Sequence, residues 1–113
     1  MSHDERLAAR VRAHFARDGG AAEIRMMGAL CFMVDGNMCC GVTGQSLLVR
    51  VGRDAHAAAL GEPHTRPMEL SGRTMRGFVL VDPEGIEADA DLLRWIARAA
   101  AFVQTLPPKR TTA

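Results

Sequence analysis

Residues 28–51 constrain the fold more than any other part of the chain. They read Gly-Ala-Leu-Cys-Phe-Met-Val-Asp-Gly-Asn-Met-Cys-Cys-Gly-Val-Thr-Gly-Gln-Ser-Leu-Leu-Val-Arg-Val, three apolar runs parted by turn residues. That pattern predicts a three-stranded antiparallel meander. Asp35-Gly36 between two apolar runs favours a type I′ turn, in which both central residues take positive φ. With those two residues as the loop, Val34 pairs with Asn37, Met33 with Met38, Phe32 with Cys39 and Cys31 with Cys40. Alternation along the strands then gathers Cys31, Met33, Met38 and Cys40 on one face and Leu30, Phe32, Val34 and Cys39 on the other. Cys31 and Cys40 become a non-hydrogen-bonded pair, with Cα atoms about 4.5 Å apart.

Two thiols and two thioethers on one face suit a soft metal such as Cu(I), or a redox-active cross-strand disulfide. The simpler reading of the same residues is apolar filling of a buried sheet face. No further ligand stands at metal-site spacing nearby, and the expectation is a protein without metal or cofactor.

The chain has 113 residues, enough for one domain with its own core. We place that domain at residues 1–108 and read Lys109 to Ala113 as a frayed tail. Fourteen Lys and Arg against thirteen Asp and Glu leave a net charge of +1, no electrostatic footprint for nucleic acid. Tyrosine is absent and aromatics make up 4%, which speaks against a stacking platform for single strands. No apolar run approaches the ~18 residues of a membrane span, and Asp4, Glu5 and Arg6 do not suit a signal peptide. Three cysteines, two adjacent, make no disulfide framework. A cytoplasmic protein with reduced thiols is expected.

Along the rest of the chain, Ser2 with Glu5 reads as a capping box opening a helix from about His3 to Asp18, whose apolar positions are Leu7, Val11 and Phe15. Gly19-Gly20 ends it. Glu23 to Met27 forms a short extended lead into the meander, and Gly28 marks a bulge or bend. The third strand, Ser46 to Val51, turns Leu47, Val49 and Val51 to one face, Leu48 and Arg50 to the other. Asp54 caps a short helix from Ala55 to Leu60, which carries His56. A second hairpin, Pro67 to Leu70 and Arg76 to Val81, closes around Ser71 to Thr74. The last helix starts near Asp89 and presents Leu92, Leu93, Ile96, Ala99, Ala100, Val103 and Leu106 as an apolar stripe, flanked by Trp95 and Phe102. Pro107-Pro108 stops it.

The element order predicts an α+β domain, α-β(3)-α-β(2)-α, with one five-stranded antiparallel sheet carrying helices on one face. Phosphate loops, dinucleotide fingerprints and serine elbows are missing, so no catalytic residue is assigned and the protein is read as non-enzymatic. Arg50 at a strand end, and His64 and Arg66 on the stiff loop Glu62 to Pro67, are the remaining binding candidates. Asp82, Glu84, Glu87, Asp89 and Asp91 make an acidic rim explained by turn and helix-start charge. Direct DNA binding would require Arg6, Arg10 and Arg17 to form one basic stripe.

The segment from Met26 to Gly36 resembles the signature of the TfoX/Sxy N-terminal domain, with Met27 and Ala29 where Phe and Gly are usual. Leu47 to Gly52, the Glu62 to Pro67 loop and Met75-Arg76-Gly77-Phe78-Val79 continue the likeness over nearly the whole chain. The resemblance implies a secretion-chaperone-like layout of the same element order. Two-domain members are linked to regulation of natural competence, acting with a transcription activator. It therefore implies a regulatory, protein-binding domain that works through a protein partner, as a monomer or homodimer, by a sheet edge or an apolar patch.

Overall fold

The computed structural model describes residues 3–109. Helix α1 (Glu5–Ala16) leads into strands β1 (Ala22–Met26), β2 (Ala29–Val34), β3 (Asn37–Thr43) and β4 (Ser46–Arg50). Helix α2 (His56–Leu60) precedes β5 (Thr65–Leu70) and β6 (Arg73–Val81). A single 3-10 turn, Pro83–Gly85, then leads to helix α3 (Asp89–Val103). The strands form one antiparallel sheet in the order β1-β2-β3-β4-β6-β5. The class is the expected α+β. The sheet has six strands, because the extended lead at residues 22–26 pairs with β2 as a full edge strand.

Three of the hairpins turn by the same chemistry. Met27-Gly28, Asp35-Gly36 and Ser71-Gly72 each place two consecutive residues at positive φ. That is the type I′ geometry, whose twist matches the flanking strands. Gly28 is therefore a turn residue, and the β5–β6 loop is Ser71-Gly72 alone, with Leu70 opposite Arg73.

One face of the sheet carries the main core. Leu7, Val11 and Phe15 of α1, Ala59 of α2, and Leu92, Trp95, Ile96, Ala99 and Val103 of α3 pack on Phe32, Cys40, Val42, Leu47, Val49, Val79 and Val81. Phe15 and Phe32 stack at 5.7 Å between ring centres. On α3 the stripe is rotated from the expected one. Trp95 is buried at 1% exposure while Leu93 stands out at 45%, and Leu106 lies beyond the helix end.

The caps also differ. Asp4 caps α1, its Oδ1 accepting from the N–H of Arg6 at 2.8 Å; Ser2, expected in a capping box, lies outside the described residues. Helix α2 starts after Ala55 with no side-chain cap, so Asp54 does not serve as one.

Two glycines let the sheet close at its lower end. Gly52 and Gly77 both take φ +88, and the N–H groups of Val51 and Gly52 donate to the Gly77 carbonyl at 2.8 and 3.1 Å. A Cβ on Gly52 would collide with the Phe102 ring. The N–H of Gly77 in turn donates to Nδ1 of His56 at 2.9 Å, which ties α2 to β6. After α3 the chain returns to the β2–β3 hairpin. Asn37 Nδ2 donates to the Pro107 carbonyl at 3.0 Å, and the Lys109 N–H donates to the Asp35 carbonyl at 2.7 Å. The rest of the expected tail lies outside the described residues.

Candidate functional site

The Asp35-Gly36 turn sets the register as far as Met33 opposite Met38. Beyond it the ladder shifts by one residue. Phe32 faces Cys40, Cys31 faces Gly41 and Leu30 faces Val42, leaving Cys39 as the extra residue of a β-bulge. The cause lies in the next strand. The Gly44-Gln45 turn pairs Val42 with Leu47, and Leu47 belongs to the helix-covered core. Strict alternation from Asp35-Gly36 would have put Val42 on the opposite face and Gly41 and Thr43 in the core. The bulge resolves that conflict.

Its consequence is a correction to the four-sulfur face. Cys40 crosses to the helix side, where it joins Cys39, while Cys31, Met33 and Met38 stay on the other face. The paired thiols and thioethers expected at Cys31, Cys40, Met33 and Met38 do not converge. Nor do adjacent Cys39 and Cys40 point apart, since a bulge turns two neighbouring side chains the same way. All three cysteines are buried. Cys40 is pushed well up, by its hydrogen bond to Cys39 and then by burial, and Cys39 is drawn down by that bond and by the Arg50 charge against its own burial. Burial raises Cys31, whose Sγ lies 3.7 Å from the Met26 carbonyl. Among the described residues no three His, Cys, Asp or Glu side chains stand together as a metal site.

The face left by the helices is the notable surface. Ala29, Cys31, Met38, Leu48, Met68 and Leu80 form a second apolar cluster, with Met26, Met27, Met33, Met75 and Phe78 packed around it half-buried. Every residue of this cluster comes from a strand or from the Met27-Gly28 turn; among the described residues no helix lies over it. All six methionines among the described residues are here, and none is in the helix-side core. Cys31 and Leu48 have no exposed area, sealed by flexible thioether side chains instead of a second layer. Of this set only Cys31, Met33 and Met38 were singled out from sequence as a possible site. Treating Met27-Gly28 and Ser71-Gly72 as two-residue turns would have placed Met26 and Met75 beside them.

The other candidates are engaged within the fold. Arg50 lies between Phe78 and Phe102, 5.5 and 5.6 Å from their ring centres, and donates to the Met38 carbonyl at 3.2 Å. It closes the end of the sheet by cation–π contact and holds no carboxylate. Arg66 pairs with Asp82 at 2.8 Å, and the Ser46 hydroxyl donates to the same carboxylate at 3.0 Å. His64 is exposed at φ +65 and contributes its carbonyl to the Asp82 N–H at 2.8 Å. The basic stripe is interrupted, because Arg10 is tied to Asp89 and to the Ile86 and Glu87 carbonyls. Glu62, which sequence left as loop, binds both Arg94 and Arg98, and these two guanidinium groups lie over Trp95.

The model of the TfoX N-terminal domain matches residues 3–103. The chain belongs to that family. No curated protein and no solved structure matches it. Two stretches that carry the TfoX-like sequence, Leu47 to Gly52 and Met75 to Val79, meet in space at the Gly52–Gly77 contact. No helix of this TfoX N-terminal domain is long and apolar enough, among the described residues, to cross a membrane.

Proposed function

We propose that this TfoX N-terminal domain is a non-enzymatic, regulatory protein-interaction module whose uncovered sheet face receives a protein partner, with an effect on transcription or competence carried through that partner. The observation that supports this reading is the concentration of methionine on the sheet face that, among the described residues, no helix covers. Methionine is unbranched and polarizable, so it adapts to differently shaped partners, and each thioether–aromatic contact contributes ~0.3–1.5 kcal/mol. Such a surface binds by repacking rather than by fixed polar contacts. Soft-metal or redox binding through Cys31 and Cys40 loses its donor set to the bulge at Cys39.

Met33→Glu and Met75→Glu test the proposal, because both side chains are half-buried at the border of the cluster and substitution leaves the helix-side core intact. Partner co-purification from the native cell should fall at least tenfold with either variant while circular dichroism stays that of the wild type. Unchanged recovery with both variants would refute the proposal.

A further inference from the structure

The two edges of the sheet are not equivalent. β5 carries Pro67, which has no N–H to offer, whereas β1 has no proline and is exposed at Ala22 through Arg25. Across a two-residue hairpin the residues flanking the loop exchange hydrogen bonds and the pairs then alternate. Met26 with Ala29, Ile24 with Cys31 and Ala22 with Met33 are thus the bonded pairs of β1 and β2. The N–H and C=O groups of Glu23 and Arg25 therefore point away from the sheet.

The side chains on this edge are self-complementary. Glu23 and Arg25 flank Ile24, which is 43% exposed on the methionine side. Arg25 has no ion-pair partner among the described residues. A two-fold axis through Ile24 sets β1 antiparallel to the β1 of a second copy. It then matches the free backbone groups of Glu23 to those of the second copy's Arg25 and places the carboxylate beside the guanidinium.

The geometry points to a homodimer formed by edge-to-edge pairing of β1 about Ile24, with one continuous sheet and the two methionine faces joined. The contact is isologous, as closed dimers require. It joins one five-residue strand from each copy, so the dimer is expected to dissociate on dilution. Arg12, already bound to Glu23 at 2.6 Å, holds that carboxylate in place on the helix side and draws its pKa down.

Sedimentation velocity on the full chain reads the outcome. The mass should rise from 12.2 kDa towards twice that value with concentration. Arg25→Glu sets like charges opposite each other and should return the monomer. A mixture of Arg25→Glu with Glu23→Arg should restore the dimer, each variant first shown by circular dichroism to be folded. Ile24 would face its own copy as a non-hydrogen-bonded pair about 4.5 Å apart, so Ile24→Cys should form an intermolecular disulfide on mild oxidation. Leu93→Cys, equally exposed on α3, should form at least tenfold less. A monomer at every concentration would overturn the inference. So would a dimer that Arg25→Glu leaves unchanged, or equal cross-linking through both introduced thiols.

Discussion

Phe32 stands opposite Cys40 across the β2–β3 hairpin, and that one-residue offset puts Cys40 on the other side of the sheet from Cys31. The thiols therefore differ in what covers them. Cys39 and Cys40 lie under helices, and Cys31 lies under methionines.

Thiol labelling of the native, reduced protein should accordingly be slow for all three cysteines and should reach Cys31 first. Methionine side chains move aside without opening a helix layer, whereas Cys39 and Cys40 need sub-global unfolding. Peptide mapping after timed alkylation checks the order. Early labelling of Cys39 or Cys40 would contradict the placement.

Gly52→Ala should destabilise the fold by about 1–3 kcal/mol, because alanine at φ +88 is strained and its Cβ meets the Phe102 ring. A urea melt with an unchanged slope and a lowered midpoint is the expected result. Gly28→Ala, where nothing lies near the added Cβ, isolates the backbone strain and should cost less.

The Arg66 guanidinium beside Asp82 holds that carboxyl below the usual range, against its burial and with the Ser46 hydroxyl adding to the effect. The unfolded chain thus binds the proton more readily than the folded one. The stability this contact contributes is fully present above the unfolded pKa of about 3.9 and is lost as pH falls through the folded value. Asp82→Asn should flatten the pH dependence of the melting temperature below about pH 4 and should lower the melting temperature most at pH 7, where the contact is fully present.

Mild peroxide should oxidise the half-buried Met26, Met27, Met33 and Met75 before Met38 and Met68, which are 5% and 6% exposed. Peptide mass analysis gives the order directly.

Sequence was most informative where the chemistry was local. Asp35-Gly36 set its own turn and the first pairs beside it, since glycine and aspartate tolerate positive φ whatever surrounds them. The bulge at Cys39 carries no such local mark. It exists because Val42 must join Leu47 in the core, a requirement of tertiary packing that strict alternation from one turn cannot meet. The alternating apolar pattern of β4 was legible, but which face the helices cover was not. That choice decided whether the sulfurs were core or surface, and it divided them. Leu93, read as part of the α3 stripe, turns out to solvent, while Trp95, read as flanking the stripe, lies in the core with Arg94 and Arg98 over its ring.

The methionine face is proposed to receive a protein. Site-specific photo-cross-linking in the native cell tests it most directly, with the cross-linker placed at Met33, at Met75 and, as a helix-side control, at Arg17. Discrete protein adducts are expected from Met33 and Met75, and none of the same mass from Arg17. Adducts from Arg17 alone, or none above background from either methionine position, would contradict it.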